Sequence, residues 1–129
     1  MKFGYTIVYV PNVQEAMDFY EVAFGLEKRF MHESLQYGEM DTGSTVLAFA
    51  DEMFVSTTET FRPNRPSDKA AGVEIAFVAT DVTTAFRHAC SSGAIPVFEP
   101  ETKPWGQVVS YVRDLNGLLI EICSEIASS

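Results

Sequence analysis

The sequence predicts an α+β fold built from two similar βαβββ modules, and three observations carry that prediction. A β-prone run, a capped amphipathic stretch and a glycine follow one another twice along the chain. Val13-Gln-Glu-Ala16 aligns with Val82-Thr-Thr-Ala85 at an offset of 69 residues. Behind each amphipathic stretch the hydrophobic pattern shortens to strand-like segments separated by turn residues.

In the first half, residues 5–10 (Tyr-Thr-Ile-Val-Tyr-Val) form a β-prone run that Pro11-Asn12 ends. Asn12 and Glu15 have capping-box spacing, with Asn in place of Ser or Thr. A helix over about 13–23 would bury Val13, Ala16, Met17, Tyr20 and Phe24, and Gly25 would stop it. Strands are expected at 27–32, 35–41 and 45–50, with a turn at Asp41-Thr42-Gly43-Ser44. The second half repeats this order. Residues 73–78 form a strand, Asp81 caps a helix over 82–91 that faces inward with Val82, Ala85, Phe86 and Ala89, and Gly93 follows. Strands at 94–98, 107–113 and 118–123 complete it, with Asp114 to Gly117 as a turn. Residues 51–72 lack periodicity and hold several breakers, so they read as a long linker or lid.

At 129 residues the chain supports a single domain (1–129), made of modules at about 1–50 and 73–125. A 47% hydrophobic and 21% charged composition with no apolar run near ~20 residues speaks against both disorder and a membrane span. The formal charge of −9 repels phosphate backbones and anionic lipid, which excludes nucleic acid as an expected partner and favours cationic ligands. The N-terminus runs into a strand pattern without a signal-peptide segment. Cys90 and Cys123 are unclustered and read as buried thiols in a reducing compartment, so a cytoplasmic location is expected.

Strand pleating selects the candidate site. In 74–78, Ile75 and Phe77 are the bulky pair that suits helix packing, which leaves Glu74, Ala76 and Val78 on the other face. In the last strand, Leu118, Ile120 and Ile122 suit the helix, and Glu121 falls beside Glu74. Two carboxylates on one wall can hold an ammonium group or a divalent metal, or act as an acid/base pair; they can also be solvated residues of a half-covered strand. Among the aromatics Tyr37, Phe49, Phe54, Phe61, Phe98, Trp105 and Tyr111, some are expected to line an apolar pocket, with Trp105, between Pro104 and Gly106, the leading one. The 69-residue offset sets Tyr5 opposite Glu74. The expected ligand-binding set is therefore Glu74, Glu121, Trp105, Tyr5, Phe49, Tyr37 and Tyr111. His32 and His88 lack ligand spacing, and Arg113 and Lys103 could orient an anionic substrate, although charges so near turns read first as structural or solvated. No nucleophile elbow, phosphate-cradling glycine loop or Cys-His arrangement is present, and no catalytic residue is assigned.

Val10-Pro-Asn-Val13, Ala16-x-x-Phe19-Tyr20, Phe24-Gly25-Leu26-Glu27, Gly93-Ala94, Pro104-Trp105-Gly106 and Arg113-Asp114-x-x-Gly117-x-x-Ile120-Glu121 together resemble the vicinal oxygen chelate superfamily, and more narrowly its glyoxalase, bleomycin resistance protein and extradiol dioxygenase group. The resemblance spans nearly the whole chain. It implies paired modules forming a cupped mixed sheet, and a homodimer. It also implies four metal-ligand positions, which here carry Tyr5, Leu47 or Ala48, Glu74 and Glu121, so half of the sphere is missing. The expected function is metal-independent, cofactor-free binding of a small cationic or aromatic molecule, as in the bleomycin resistance branch. The alternative is a divalent-metal lyase or isomerase of the glyoxalase type, with Glu74 and Glu121 as ligands, acting on a small oxygenated substrate.

Overall fold

The structure, a computed structural model, describes residues 1–54 and 58–126 and resolves into two compact units, Met1–Asn64 and Arg65–Ser129. The first unit holds β1 (Tyr5–Val10), α1 (Val13–Phe24), β2 (Glu27–Met31), β3 (Tyr37–Asp41) and β4 (Val46–Asp51). The second holds β5 (Glu74–Val78), α2 (Val82–Ser91), β6 (Ile95–Thr102), β7 (Val108–Arg113) and β8 (Leu119–Cys123). Each unit is a four-stranded mixed sheet, in order β1-β4-β3-β2 or β5-β8-β7-β6. In each, the first and last strands run parallel and the other pairs are antiparallel.

Local chemistry sets the helix ends. The Asn12 side chain accepts from the Glu15 backbone N–H at 2.9 Å, and Asp81 accepts from Thr84 at 3.0 Å, each satisfying a donor that the first turn leaves orphaned. The contacts with Thr84 hold the Asp81 carboxyl below the usual range. Gly25 closes α1 at φ 71°, a left-handed conformation that favours glycine. The first helix buries Val13, Ala16, Met17, Tyr20 and Ala23, and Phe24 is only half-buried, edge-on to Tyr20 at 5.0 Å. Ala23, not Phe24, completes the inward stripe. In α2 the buried set is Val82, Phe86 and Ala89, with Ala85 half-buried.

Pleating divides each sheet into a helix face and an open face. In the first unit Val10, Met40, Leu47 and Phe49 are buried with the helix residues Met17 and Tyr20, and the Phe49 ring lies 4.8 Å from that of Tyr20. At Gly38 the Met17 sulfur fills the space that a Cβ would take, so a side chain there would have to displace the methionine. In the second unit Val112, Ile120 and Ile122 form the corresponding layer, and buried Ser110 donates to the Ile122 carbonyl at 2.8 Å.

The expected linker or lid, 51–72, includes residues 55–57, which lie outside the described set. Its described parts are tied to the units they belong to. A single 3₁₀ turn covers Thr58–Thr60, Thr58 donates to the Glu52 carbonyl, and Phe61 stacks on Tyr9 at 4.3 Å. Residues 65–68 are bound to the second sheet through Arg113.

Candidate functional site

Register places the second-unit candidates. Ala76 pairs with Glu121 and Glu74 with Leu119, so Glu74, Ala76, Val78, Leu119, Glu121 and Cys123 share the open face. Glu121 pairs in turn with Tyr111, and Tyr111 with Phe98, which extends that face across all four strands. The strand register slips between Pro96 and Phe98, a bulge that lets both Val97 and Phe98 reach the same hollow. Pro96, which has no N–H for the ladder, is tolerated because β6 is an edge strand.

The hollow has a volume of about 630 Å³. Its walls are residues 71–74, Val97 and Phe98 of β6, Tyr111 of β7 and Leu119 of β8. Phe98 is 68% exposed and meets Tyr111 edge-on at 6.2 Å, which leaves its face open to a ligand. The Tyr111 hydroxyl donates to Glu121 Oε1 at 2.8 Å, and this bond, with burial, pushes the phenol up to about 12. At neutral pH Tyr111 is therefore a neutral donor that fixes the Glu121 carboxylate. Burial, and then the charge of Glu121, raise the Glu74 carboxyl above its ordinary value. Cys123, pushed up to about 11 by burial and by Glu121, stays a thiol and is a poor nucleophile. The wall thus offers apolar rings beside two carboxylates, an arrangement suited to a cation with an apolar body.

Trp105 does not join this hollow. It sits in the β6–β7 turn, 57% exposed, with its Nε1 donating to Gln107 at 2.9 Å, and Gln107 in turn binds the Ser124 carbonyl. That turn lies at the Cys123 end of the sheet, whereas Glu74 lies at the Leu119 end. Phe49 is a correction: it is fully buried on the helix face and belongs to the core, not to a ligand wall. The alternation that set Ile120 and Ile122 inward applies equally to Leu47 and Phe49, and leaves the small Ala48 and Ala50 on the other side.

In the first unit the face away from the helix carries Tyr5, Ile7 and Tyr9 beside Ala48 and Ala50, two small residues that are themselves buried. Ile7 pairs with Ala48 as Ala76 pairs with Glu121, so the position matching Glu121 is Ala48, and Leu47 points to the helix. Tyr37 donates to Glu39 Oε2 at 2.7 Å, and burial followed by this bond pushes it up to about 12. Glu39 also lies 3.6 Å from the Arg29 guanidinium. Sequence reading missed Glu39. Its signal was the alternation of Tyr37-Gly-Glu39-Met-Asp41, in which Met40 must face the helix.

The donors do not fit a divalent metal centre. Tyr5 offers a phenol and Ala48 nothing, while Glu74 and Glu121 bring two carboxylates and Glu121 is engaged by a phenol. No group of three or more His, Cys, Asp or Glu side chains comes together among the described residues. His32 is engaged locally, its Nδ1 2.8 Å from Ser34 Oγ. Among the described residues no helix is long and apolar enough to cross a membrane.

Residues 2–122 match the family model of the Glyoxalase/Bleomycin resistance protein/Dioxygenase superfamily. No curated protein matches the chain in sequence. Among solved structures, a glyoxalase-related enzyme from Fulvimarina pelagi superposes with a TM-score of 0.79 at 16% identity, covering 97% of this chain and 88% of that one. A superfamily member from Sphaerobacter thermophilus DSM 20745 gives 0.74 at 19% identity, over 97% and 98%. TioX from Micromonospora sp. ML1 gives 0.71 at 21% identity, over 96% and 98%. At these identities the likeness is one of fold, and the family match rests on the sequence of nearly the whole chain. The two βαβββ units and the family match agree: the chain belongs to the Glyoxalase/Bleomycin resistance protein/Dioxygenase superfamily.

Proposed function

We propose that this protein binds a small cationic molecule with an aromatic or otherwise apolar body, without a metal and without turnover, on the open face of its second sheet. The observation that carries this reading is the placing of Glu74 and Glu121 on one face, beside a hollow of about 630 Å³ walled by Phe98 and Tyr111. That volume is in the range of small-molecule pockets, roughly 300–1,000 Å³. The acidic balance of the chain supports the same sign of ligand by raising its local concentration. A homodimer is part of the proposal, supported by apolar side chains such as Val78 and Ile7 left open to solvent in the single chain. So is a reducing, cytoplasmic setting, supported by the two free thiols Cys90 and Cys123.

Calorimetric titration tests the binding. Benzyltrimethylammonium should bind, its anionic counterpart phenylacetate should not, and Glu74→Gln or Glu121→Gln should each weaken the cation about 3- to 10-fold, the scale of one partly exposed charge contact. Equal affinity for both probes, or unchanged affinity in both variants, would remove the basis for this reading. Light scattering at micromolar concentration tests the dimer, and a monomer mass would refute it.

A further inference from the structure

We infer that Arg113 is a positioning residue that holds residues 65–68 and thereby fixes the wall that follows them, Ala71 to Val73 of the second-unit hollow, an assignment that rests on the binding reading above. Arg113 ends β7 on the open face, two residues beyond Tyr111 and paired with Leu119, a lining residue. Among the described residues its guanidinium bonds backbone carbonyls. Nε donates to the Gly117 carbonyl at 2.9 Å, Nη1 to Pro66 at 3.1 Å, and Nη2 to Arg65 at 3.2 Å and Asp68 at 2.7 Å. Four backbone carbonyls, three of them 45 to 48 residues away in sequence, thus converge on one planar fork. A lysine, with a single point charge, cannot reproduce that spread.

The turn after β7 is shaped for this clamp. Buried Asp114 accepts from the backbone N–H groups of Asn116 and Leu118 at 2.8 and 2.9 Å, which closes the 114–118 loop. Gly117 sits at φ 93°, where a Cβ would lie 2.6 Å from Arg113 Nη2 and 2.7 Å from the Arg65 carbonyl. Only glycine lets the segment approach so closely. Three residues beyond Asp68 the same segment becomes lining: Ala71, Gly72 and Val73 are wall, and Glu74 opens β5. Residues 66–69 and 71–73 are exposed, so the clamp substitutes for the burial that would otherwise fix this wall.

Hydrogen exchange on the free protein, paired with calorimetry, tests the assignment. In Arg113→Gln the Asp68 amide, which donates to the Arg65 carbonyl at 3.0 Å, should exchange at least about tenfold faster while those of β7 and β8 keep their wild-type rates. Benzyltrimethylammonium should bind about 3- to 10-fold more weakly. In Arg113→Ala, millimolar ethylguanidinium should restore slow exchange in the segment, and ethylammonium should not, a rescue that general destabilisation would not show. Unchanged exchange at Asp68, equal acceleration throughout β7 and β8, or a loosened segment with unaltered cation affinity would each overturn the assignment. If the wild-type protein takes no cation, the binding reading falls by itself, and the exchange pattern still decides whether Arg113 holds the segment.

Discussion

The two units share one sheet topology but arrange phenol and carboxylate differently on their open faces. In the first, Tyr37 and Glu39 are two residues apart on β3, and Arg29 approaches the carboxylate. In the second, Tyr111 on β7 holds Glu121 on the neighbouring β8, and Glu74 adds a second carboxylate from β5. Relative to the first unit, the phenol stands where Glu39 stands and the carboxylate where Ala48 stands. No ion pair engages Glu74 or Glu121 among the described residues. The difference teaches that pleating fixes which places face outward, while the side chains at those places decide the sign of the field. The first unit sets a guanidinium 3.6 Å from Glu39, and the second sets two glutamates beside apolar rings.

The largest expected effect separates the two faces. Phe49→Ala should lower unfolding free energy by about 3–5 kcal/mol, whereas Phe98→Ala, on the open face, should change it by less than about 1 kcal/mol, as read by urea unfolding. Similar losses in both would erase the distinction between core and wall. Next come the two turns. Gly43 and Gly117 both have positive φ, 95° and 93°, but a Cβ at Gly43 meets open space and one at Gly117 meets Arg113 and Arg65. Gly43→Ala should cost about 1 kcal/mol from backbone conformation, and Gly117→Ala clearly more because a clash is added. Equal costs would show that the turn of the second unit yields without strain.

The smallest effect is a slope against pH. Because the folded protein holds the Glu74 carboxyl above its unfolded value, the folded state binds the proton more tightly. The contribution of Glu74 is most favourable below the ordinary carboxylate range, and it declines as pH rises from there through the raised value. Glu74→Gln should remove this decline and leave the protein equal or slightly more stable at neutral pH, by less than about 0.5 kcal/mol given the exposure of the group. The same variant should bind the cation less well, so stability and binding move in opposite directions. A variant that loses stability at neutral pH would contradict the repulsion between Glu74 and Glu121.

Much of the fold was legible because its signals are local. Asn12, Gly25 and Asp81 mark helix ends through single hydrogen bonds and one backbone conformation, and strand alternation alone set Glu74 and Glu121 on a common face. Other features depended on distances the sequence does not show. The choice between Leu47 and Ala48 needed the register, since the offset between units grows from 69 at the first strands to 73 at the last, the second unit having the longer β6. Trp105 was drawn toward the site by its chemistry, but the turn that carries it lies at the far end of the sheet. The partners of Arg113 are backbone carbonyls, which leave no residue-type signature to read. Glu39 was readable by the rule that placed Glu121, had the bulk of Met40 been used to orient β3.

The account stands on one asymmetry, that cations are taken by the carboxylates of the second sheet and not by that of the first. Calorimetric titration of benzyltrimethylammonium into Glu121→Gln and Glu39→Gln measures it directly. The account predicts that the first variant binds several-fold more weakly and the second as the wild-type protein does. Loss of binding in Glu39→Gln with full binding in Glu121→Gln would contradict it.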